Sequence, residues 1–255
     1  VKILVVALDN LGDAVMATAV LRPLKKIFPQ AEIGMFVKSY AAEMLADHSL
    51  VDRVHGADPF WDVSPGRGRG RFADFVEALW DIHGARYDVA VILNAEWRRA
   101  VAIRIAGVPA RVGFDRRRAK AFLTARVSEG STGAHFIDGH RSVVRAFAGV
   151  QADSEEFIPR LEVSEGDRAW WDTWSPRANM RAGDYIVLHP FSGDERKNWP
   201  LGAWTSLVER LRAKGHRFVI VCAAAEAARL GNAFRSVPPE AIHVMAGAPL
   251  RHVKA

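Results

Sequence analysis

Residues 1–13, VKILVVALDNLGD (Val1–Asp13), decide how this chain folds. From Val1 to Leu8 the run is apolar and rich in β-branched residues, with Lys2 the single charge. This predicts a strand buried on both faces, as in a parallel sheet, rather than the alternation of a half-solvated strand. Asp9, Asn10 and Asp13 then break the run, and the period changes. Ala17, Val20, Leu21, Leu24, Ile27 and Phe28 share one face of a helix predicted from Ala14 to Phe28. Lys25 and Lys26 suit its C-terminal dipole, and Pro29 stops it. A second strand, Ile33 to Val37, closes a β-α-β unit within the first forty residues.

Outward from that unit the alternation continues. Tyr40–Ala46 reads as helix and Val51–Val54 as a short strand. Pro65–Arg71 (PGRGRGR) is a Gly/Arg-rich loop, expected to be mobile. Phe72–Ile82 is a helix, Val89–Leu93 a buried strand, Trp97–Ala106 a basic helix ending at Gly107-Val108-Pro109, and Arg111–Phe114 a strand. Ser128–Gly133 reads as a further polar loop. Composition shifts between Pro159 and Gly183, around a helical piece at Asp167–Trp174, and then the pattern restarts. Tyr185–Leu188, Phe218–Cys222 and Ile242–Met245 are strands, Leu201–Lys214 and Glu226–Phe234 helices, and His189–Pro200 a long polar loop. The fold class is therefore α/β, with two Rossmann-like domains at 1–165 and 183–255. About three strands are written in the second, where a half-sheet usually has five or six, so that domain reads as incomplete.

The bulk composition narrows the partners. Of 255 residues 49% are hydrophobic and 25% charged, which is ordinary for a globular protein. No apolar segment approaches the roughly 20 residues of a membrane span, and the apolar start is too short for a secretory signal. The lone cysteine, Cys222, lies in an apolar run and reads as a core residue rather than a nucleophile. These features place the chain in the cytoplasm. The net charge of +6 is carried largely by arginine, the side chain suited to planar grip on phosphates and carboxylates. The partner is thus an anion: a phosphorylated substrate, an acidic membrane surface or nucleic acid.

Chemistry concentrates where open α/β sheets bind ligands, at the carboxyl ends of strands. The first such place is Asp9-Asn10-Leu11-Gly12-Asp13. Gly12 predicts a tight turn and close backbone approach to a ligand, and Asp13 stands at the start of the helix. On position alone Asp13 is equally a helix N-cap. The dinucleotide fingerprint G-x-G-x-x-G is absent, and so are an Asp-x-Asp pair and a His/Asp cluster of metal-binding type.

Three ordered stretches carry a specific resemblance. GDAVMATAVLRPLKKIFPQAEI (12–33), YDVAVILNAEWRRAVAIRIAGVPARVGF (87–114) and HPFSGDERKNWP (189–200) resemble the successive signatures of glycosyltransferase family 9, which contains the lipopolysaccharide heptosyltransferases. Together they span nearly the whole chain. The resemblance implies a GT-B architecture and an inverting, metal-independent transfer of heptose from ADP-heptose to the lipopolysaccharide inner core. No cofactor is implied beyond that donor substrate.

Carried onto this sequence, the resemblance makes Asp13 the general base on the acceptor hydroxyl, assistance typically worth about 10²–10⁴ in rate. Lys197, with Ser192 and Gly193, would neutralise the departing diphosphate from the second-domain loop. Glu226 would bind the nucleoside, on its ribose hydroxyls; it is equally a first-turn helix glutamate. Arg67, Arg69, Arg71, Arg98, Arg99 and Arg116–Arg118 fall in the first domain, where the family holds its acceptor. Of these, Arg67, Arg69, Arg98 and Arg117 are the candidates for substrate contact, although each alone reads as a solvated surface arginine. Trp199 reads as packing rather than as an adenine platform. Peripheral contact with the inner face of the cytoplasmic membrane, through Trp97–Ile105, is compatible with this picture.

Two departures from the family pattern stand out. Ala7 and Leu8 occupy the place of its usual basic residue before the Gly-Asp turn. Its last signature, a Gly-rich loop facing the diphosphate, does not appear before Ala255, so the donor site is expected to be incomplete. The competing readings are a relative with another donor or acceptor, an inactive nucleotide-sugar-binding module, and a nucleic-acid binder. Against the last, aromatics are not interleaved with the arginines and no binding motif is present.

Overall fold

The computed structural model describes residues 1–64, 68–128, 135–149 and 155–255; for Ser64 and Arg117 it describes the backbone only. The chain divides into two compact units, Val1–Glu162 and Val163–Ala255.

In the first unit the opening run forms β1 (Lys2–Ala7), followed by β2 (Glu32–Val37), β3 (Arg53–Gly56), β6 (Val89–Ile92), β7 (Ala110–Phe114) and β8 (Ala125–Val127). Among the described residues these make a six-stranded sheet ordered β3-β2-β1-β6-β7-β8, with every pairing parallel. Ile3 is in register with Ile33 on one side and with Val89 on the other. Both faces of β1 are buried, as its unbroken apolar sequence predicts. Ile3, Val5 and Ala7 join one core with Ala14, Leu21, Leu24, Ala41, Leu45, Val143 and Val144. Leu4, Val6 and Leu8 join a second with Phe75, Leu79, Ile82, Ala102 and Ile103. Helices α3 (Ser39–Leu45) and α6 (Phe136–Ala148) thus contribute to the first layer, α4 (Phe72–Ala85) and α5 (Trp97–Ile105) to the second.

Three details depart from expectation. The helix predicted over 14–28 starts at Leu11 and is broken into α1 (Leu11–Ala17), a 3-10 turn (Thr18–Val20) and α2 (Leu21–Ile27). The break centres on Thr18, a buried β-branched residue whose hydroxyl donates to the Val15 carbonyl at 2.7 Å and accepts the Arg160 amide at 2.9 Å. Within the stretch predicted as loop, Gly68–Arg69 forms β5, antiparallel to β4 (Val63–Ser64); residues 65–67 lie outside the described residues, as does most of the loop predicted at 128–133. Finally, β8 and α6 are additional elements. The signal for α6 is plain in retrospect, since Ile137, His140 and Val144 recur at helical spacing and are buried.

The second unit begins with α7 (Glu165–Arg177), capped by Ser164, whose hydroxyl accepts the Asp167 amide at 3.2 Å. Its strands are β9 (Tyr185–Leu188), β10 (Arg217–Cys222) and β11 (Ile242–Ala246), parallel in the order β11-β10-β9. Helices α8 (Leu201–Arg212) and α9 (Ala227–Ala233) supply Val208 and Leu230 to a core with Leu188, Phe218 and Ile220. Buried Cys222 belongs to this core; burial and the nearby Glu226 raise its thiol pKa, which leaves it a packing residue. On α7, fully buried Asp167 holds Lys254 at 2.9 Å and Arg251 at 3.1 Å on the terminal α10 (Leu250–Lys254).

Candidate active site

The chain passes from β1 to β2 on one side and returns to β6 on the other, so the crevice at the carboxyl ends of β1 and β6 is the sheet's switch point. Four strand ends and helices deliver side chains there: Asp9 and Asn10 follow β1, Lys38 follows β2, Asn94 follows β6, and Arg99 lies on α5.

Asp13 is the third residue of α1, with Asn10 as N-cap, and its Oδ2 accepts the Asn10 amide at 3.2 Å. The carboxylate therefore helps to cap the helix and is also half-buried at the switch point. Burial, and next the charge of Asp9, raise its pKa above the ordinary carboxylate value; the Asn10 amide, Arg99 and Lys38 pull against them and lose. Gly12 does not make the tight turn predicted for it. It lies inside the first turn of α1, exposed, with open space where a side chain would begin, so it leaves the face beside Asp13 uncovered.

Asp9 is gripped by a bidentate pair: Arg99 Nη1 to Oδ2 at 2.7 Å and Nη2 to Oδ1 at 2.8 Å, with the Asn94 amide donating to the same carboxylate. Burial would raise Asp9, but hydrogen bonds and charge from Arg99, with Asn94 and Lys38, outweigh it and hold the carboxyl below its usual value. Lys38 is likewise buried, its Nζ 3.0 Å from Asp62 Oδ2 and 3.5 Å from Asn10 Oδ1. The Tyr40 hydroxyl accepts the Leu11 amide at 3.0 Å. The cationic charge missing from positions 7 and 8 is thus brought to the turn from β2 and α5. Asp9, Lys38 and Asn94 were not singled out as site residues in the sequence, although the rule that ligands meet strand carboxyl ends points to each.

Among the described first-domain arginines named in the sequence, Arg99 is the one placed at the switch point. Arg98 pairs with Glu96 at 2.9 Å and lies over the Trp97 ring at 5.0 Å, Arg69 is exposed on β5, and Arg71 is 3.6 Å from Asp74. Arg67 and the Arg117 side chain lie outside the described residues.

In the second unit, the loop after β9 folds back on itself. The Ser192 amide donates to Asn198 Oδ1 at 2.7 Å, the Ser192 hydroxyl donates to the Asp194 carbonyl at 2.8 Å, and Gly193 is exposed. Lys197 ends a 3-10 turn, with its side chain in solvent just ahead of α8. Glu226, past β10, accepts the Ala223 amide at 2.8 Å and so caps its own turn. Lys197, Ser192, Gly193 and Glu226 all lie beyond strand carboxyl ends of one sheet. Trp199 meets Trp204 edge-on at 5.3 Å. Among the described residues, no group of three or more His, Cys, Asp and Glu side chains is disposed to hold a metal, and no helix is long and apolar enough to cross a membrane.

Parallel sheets in two Rossmann-like units are the α/β architecture of GT-B type. The sequence model of glycosyltransferase family 9 (heptosyltransferase) matches residues 78–254, and the chain belongs to that family. It is 20% identical over 213 residues to lipopolysaccharide heptosyltransferase 3 of Escherichia coli, covering 82% of this chain and 60% of that protein. Among solved structures, the family 9 glycosyl transferase of Veillonella parvula superposes with a TM-score of 0.82 at 16% identity, covering 99% of this chain and 71% of the other. The E. coli heptosyltransferase WaaC with ADP gives 0.73 at 18%, covering 99% and 77%. The chain spans about 60% of the length of the curated relatives it matches.

Proposed function

We propose that this chain carries out the transfer of heptose from ADP-heptose to an anionic lipopolysaccharide inner-core acceptor, by inversion, with no metal and no further cofactor. The observation that carries this reading is Asp13: a half-buried carboxylate at the switch point, with its pKa raised, beside an uncovered glycine. As general base it takes the proton of the acceptor hydroxyl while the oxygen attacks the anomeric carbon and the glycosidic bond to the diphosphate breaks. A raised pKa suits a base that must hold that proton once taken.

Lys197, Ser192 and Gly193 receive the diphosphate, and Glu226 the ribose; family membership and their shared place at strand carboxyl ends support this. Arg67, Arg69, Arg98 and Arg117 are assigned to the acceptor on family membership and positive charge alone. The setting is the cytoplasm, with peripheral contact at the inner face of its membrane and no nucleic-acid partner. The decisive experiment is heptosyl transfer by Asp13→Asn, which keeps the cap but not the base. Transfer is expected to fall by about 10²-fold or more with ADP-heptose binding retained. Turnover like that of the wild type reduces Asp13 to a helix cap.

A further inference from the structure

Asp13 does not stand alone, and its immediate neighbour in the fold is a second carboxylate. The amide that Asp13 accepts at 3.2 Å belongs to Asn10, the residue directly after Asp9, so the two acidic side chains flank one peptide. Two carboxylates this close repel, and each raises the other's hold on a proton unless a cation intervenes. Here the cation is committed to one of them. Arg99 is 96% buried by side chain and spends both Nη atoms on Asp9, at 2.7 and 2.8 Å. Asn94 closes the remaining side of the same carboxylate.

We propose that Asp9 and Arg99 are positioning residues for Asp13: their bidentate pair, closed by Asn94, fixes the turn that carries Asp13 and balances one negative against one positive charge beside it, which sets how firmly Asp13 holds its proton. The proposal rests on the reading of Asp13 as base. The other charged or titratable groups facing this pair are Lys38 from the end of β2, already engaged with Asp62, and His140 from α6; the Tyr40 hydroxyl of α3 is bound to the Leu11 amide. The arrangement gives opposite signs for the two partners. Removing the Asp9 charge leaves Arg99 uncompensated and favours ionised Asp13. Removing the Arg99 charge leaves Asp9 uncompensated, and the Asp9–Asp13 pair takes up its first proton at higher pH.

The test is an NMR titration of the Asp13 carboxyl in the chain itself, with the acid limb of kcat/KM for transfer as companion. Asp9→Asn is expected to lower the Asp13 midpoint by roughly half to one pH unit, and Arg99→Gln to raise it by a similar amount. Arg99→Lys keeps the charge and holds the midpoint near wild type, whereas a role in packing alone makes the two Arg99 variants alike. Asp9→Asn is isosteric and keeps the test alive if Arg99→Gln does not fold. An Asp13 midpoint unmoved in folded Asp9→Asn, or moved upward, overturns the proposal. The titration reads the coupling and Asp13→Asn reads the base, so either can fail without the other.

Discussion

The Tyr87 hydroxyl lies 2.8 Å from Nε2 of His55, deep between β2, β3 and α4, and the same imidazole sets Nδ1 2.6 Å from Asp81. The position facing that hydroxyl is Gly34 on β2, where a Cβ would stand 1.9 Å from Tyr87 Oη and 2.5 Å from its Cζ. A tyrosine whose oxygen must reach a buried histidine leaves room for glycine only.

Gly34→Ala is therefore expected to destabilise the protein by about 1–3 kcal/mol through overpacking. Tyr87→Phe, which strands His55 Nε2, should cost about 1 kcal/mol. Urea midpoints measure both, and an alanine variant as stable as the parent would falsify the packing account.

Acid should weaken the fold through two buried histidines. Burial lowers the pKa of His55 despite Asp81, and lowers that of His140 to about 4 despite a bond to Met16 and the charge of Asp9. A histidine whose folded pKa lies below its unfolded value of 6.5 is protonated first in the unfolded chain. Its contribution is intact above pH 6.5 and is lost as pH falls toward the folded value, about 4 for His140. For His140 the loss is on the order of 3 kcal/mol by pH 4. Denaturation midpoints across that window should fall, and His140→Leu should flatten the fall. A slope the substitution leaves unchanged assigns the effect elsewhere.

Asp167 is the anchor of the second unit's α7. It is fully buried, burial opposes its charge, and Lys254 and Ser164 override this to hold its carboxyl far below the usual range. Asp167→Asn leaves the Lys254 ammonium, itself 3% exposed, without its counter-charge. A loss of about 3–5 kcal/mol is expected. Tryptophan emission should report it, because Trp170 on α7 stacks on His252 of α10 at 4.1 Å. Unchanged unfolding of that signal rules out the anchor.

Lys197→Ala should weaken ADP binding about tenfold by calorimetry, as expected for one charge-assisted contact of roughly 1.4 kcal/mol to phosphate. An identical Kd removes Lys197 from the diphosphate site.

The parallel sheet was legible because Ile3–Leu8 and Val89–Ile92 are apolar without alternation, and burial on both faces is the one setting that uses such a run. The position of Asp13 followed from its place just after the first strand, at the carboxyl end where open α/β sheets meet ligands. The broken helix at Thr18 was not legible, since its cause is a hydroxyl bond to residue 160, far outside any local window. The site's cations were only partly legible, Arg99 as one of a cluster of arginines and Lys38 not at all, for a related reason. Lys38 and Arg99 look like ordinary surface charges in sequence, and only the sheet order brings them to the turn after β1. Gly12 misled because a glycine before an aspartate signals a turn as readily as an uncovered helix face.

The Thr18–Arg160 bond also bears on how the chain is made. It joins residues 142 positions apart, and two residues on, Glu162 accepts the Ser49 amide at 2.6 Å and the Ser49 hydroxyl at 2.7 Å. Leu161 between them packs on the core begun by β1. The first fifty residues thus leave the ribosome with a seam that only the final strip of the unit can close. High sequence separation of this kind slows folding, because loop entropy is spent before the contact repays it. A nascent chain stalled short of residue 158 would lack the partners that close its β-α-β start at Thr18 and at Ser49.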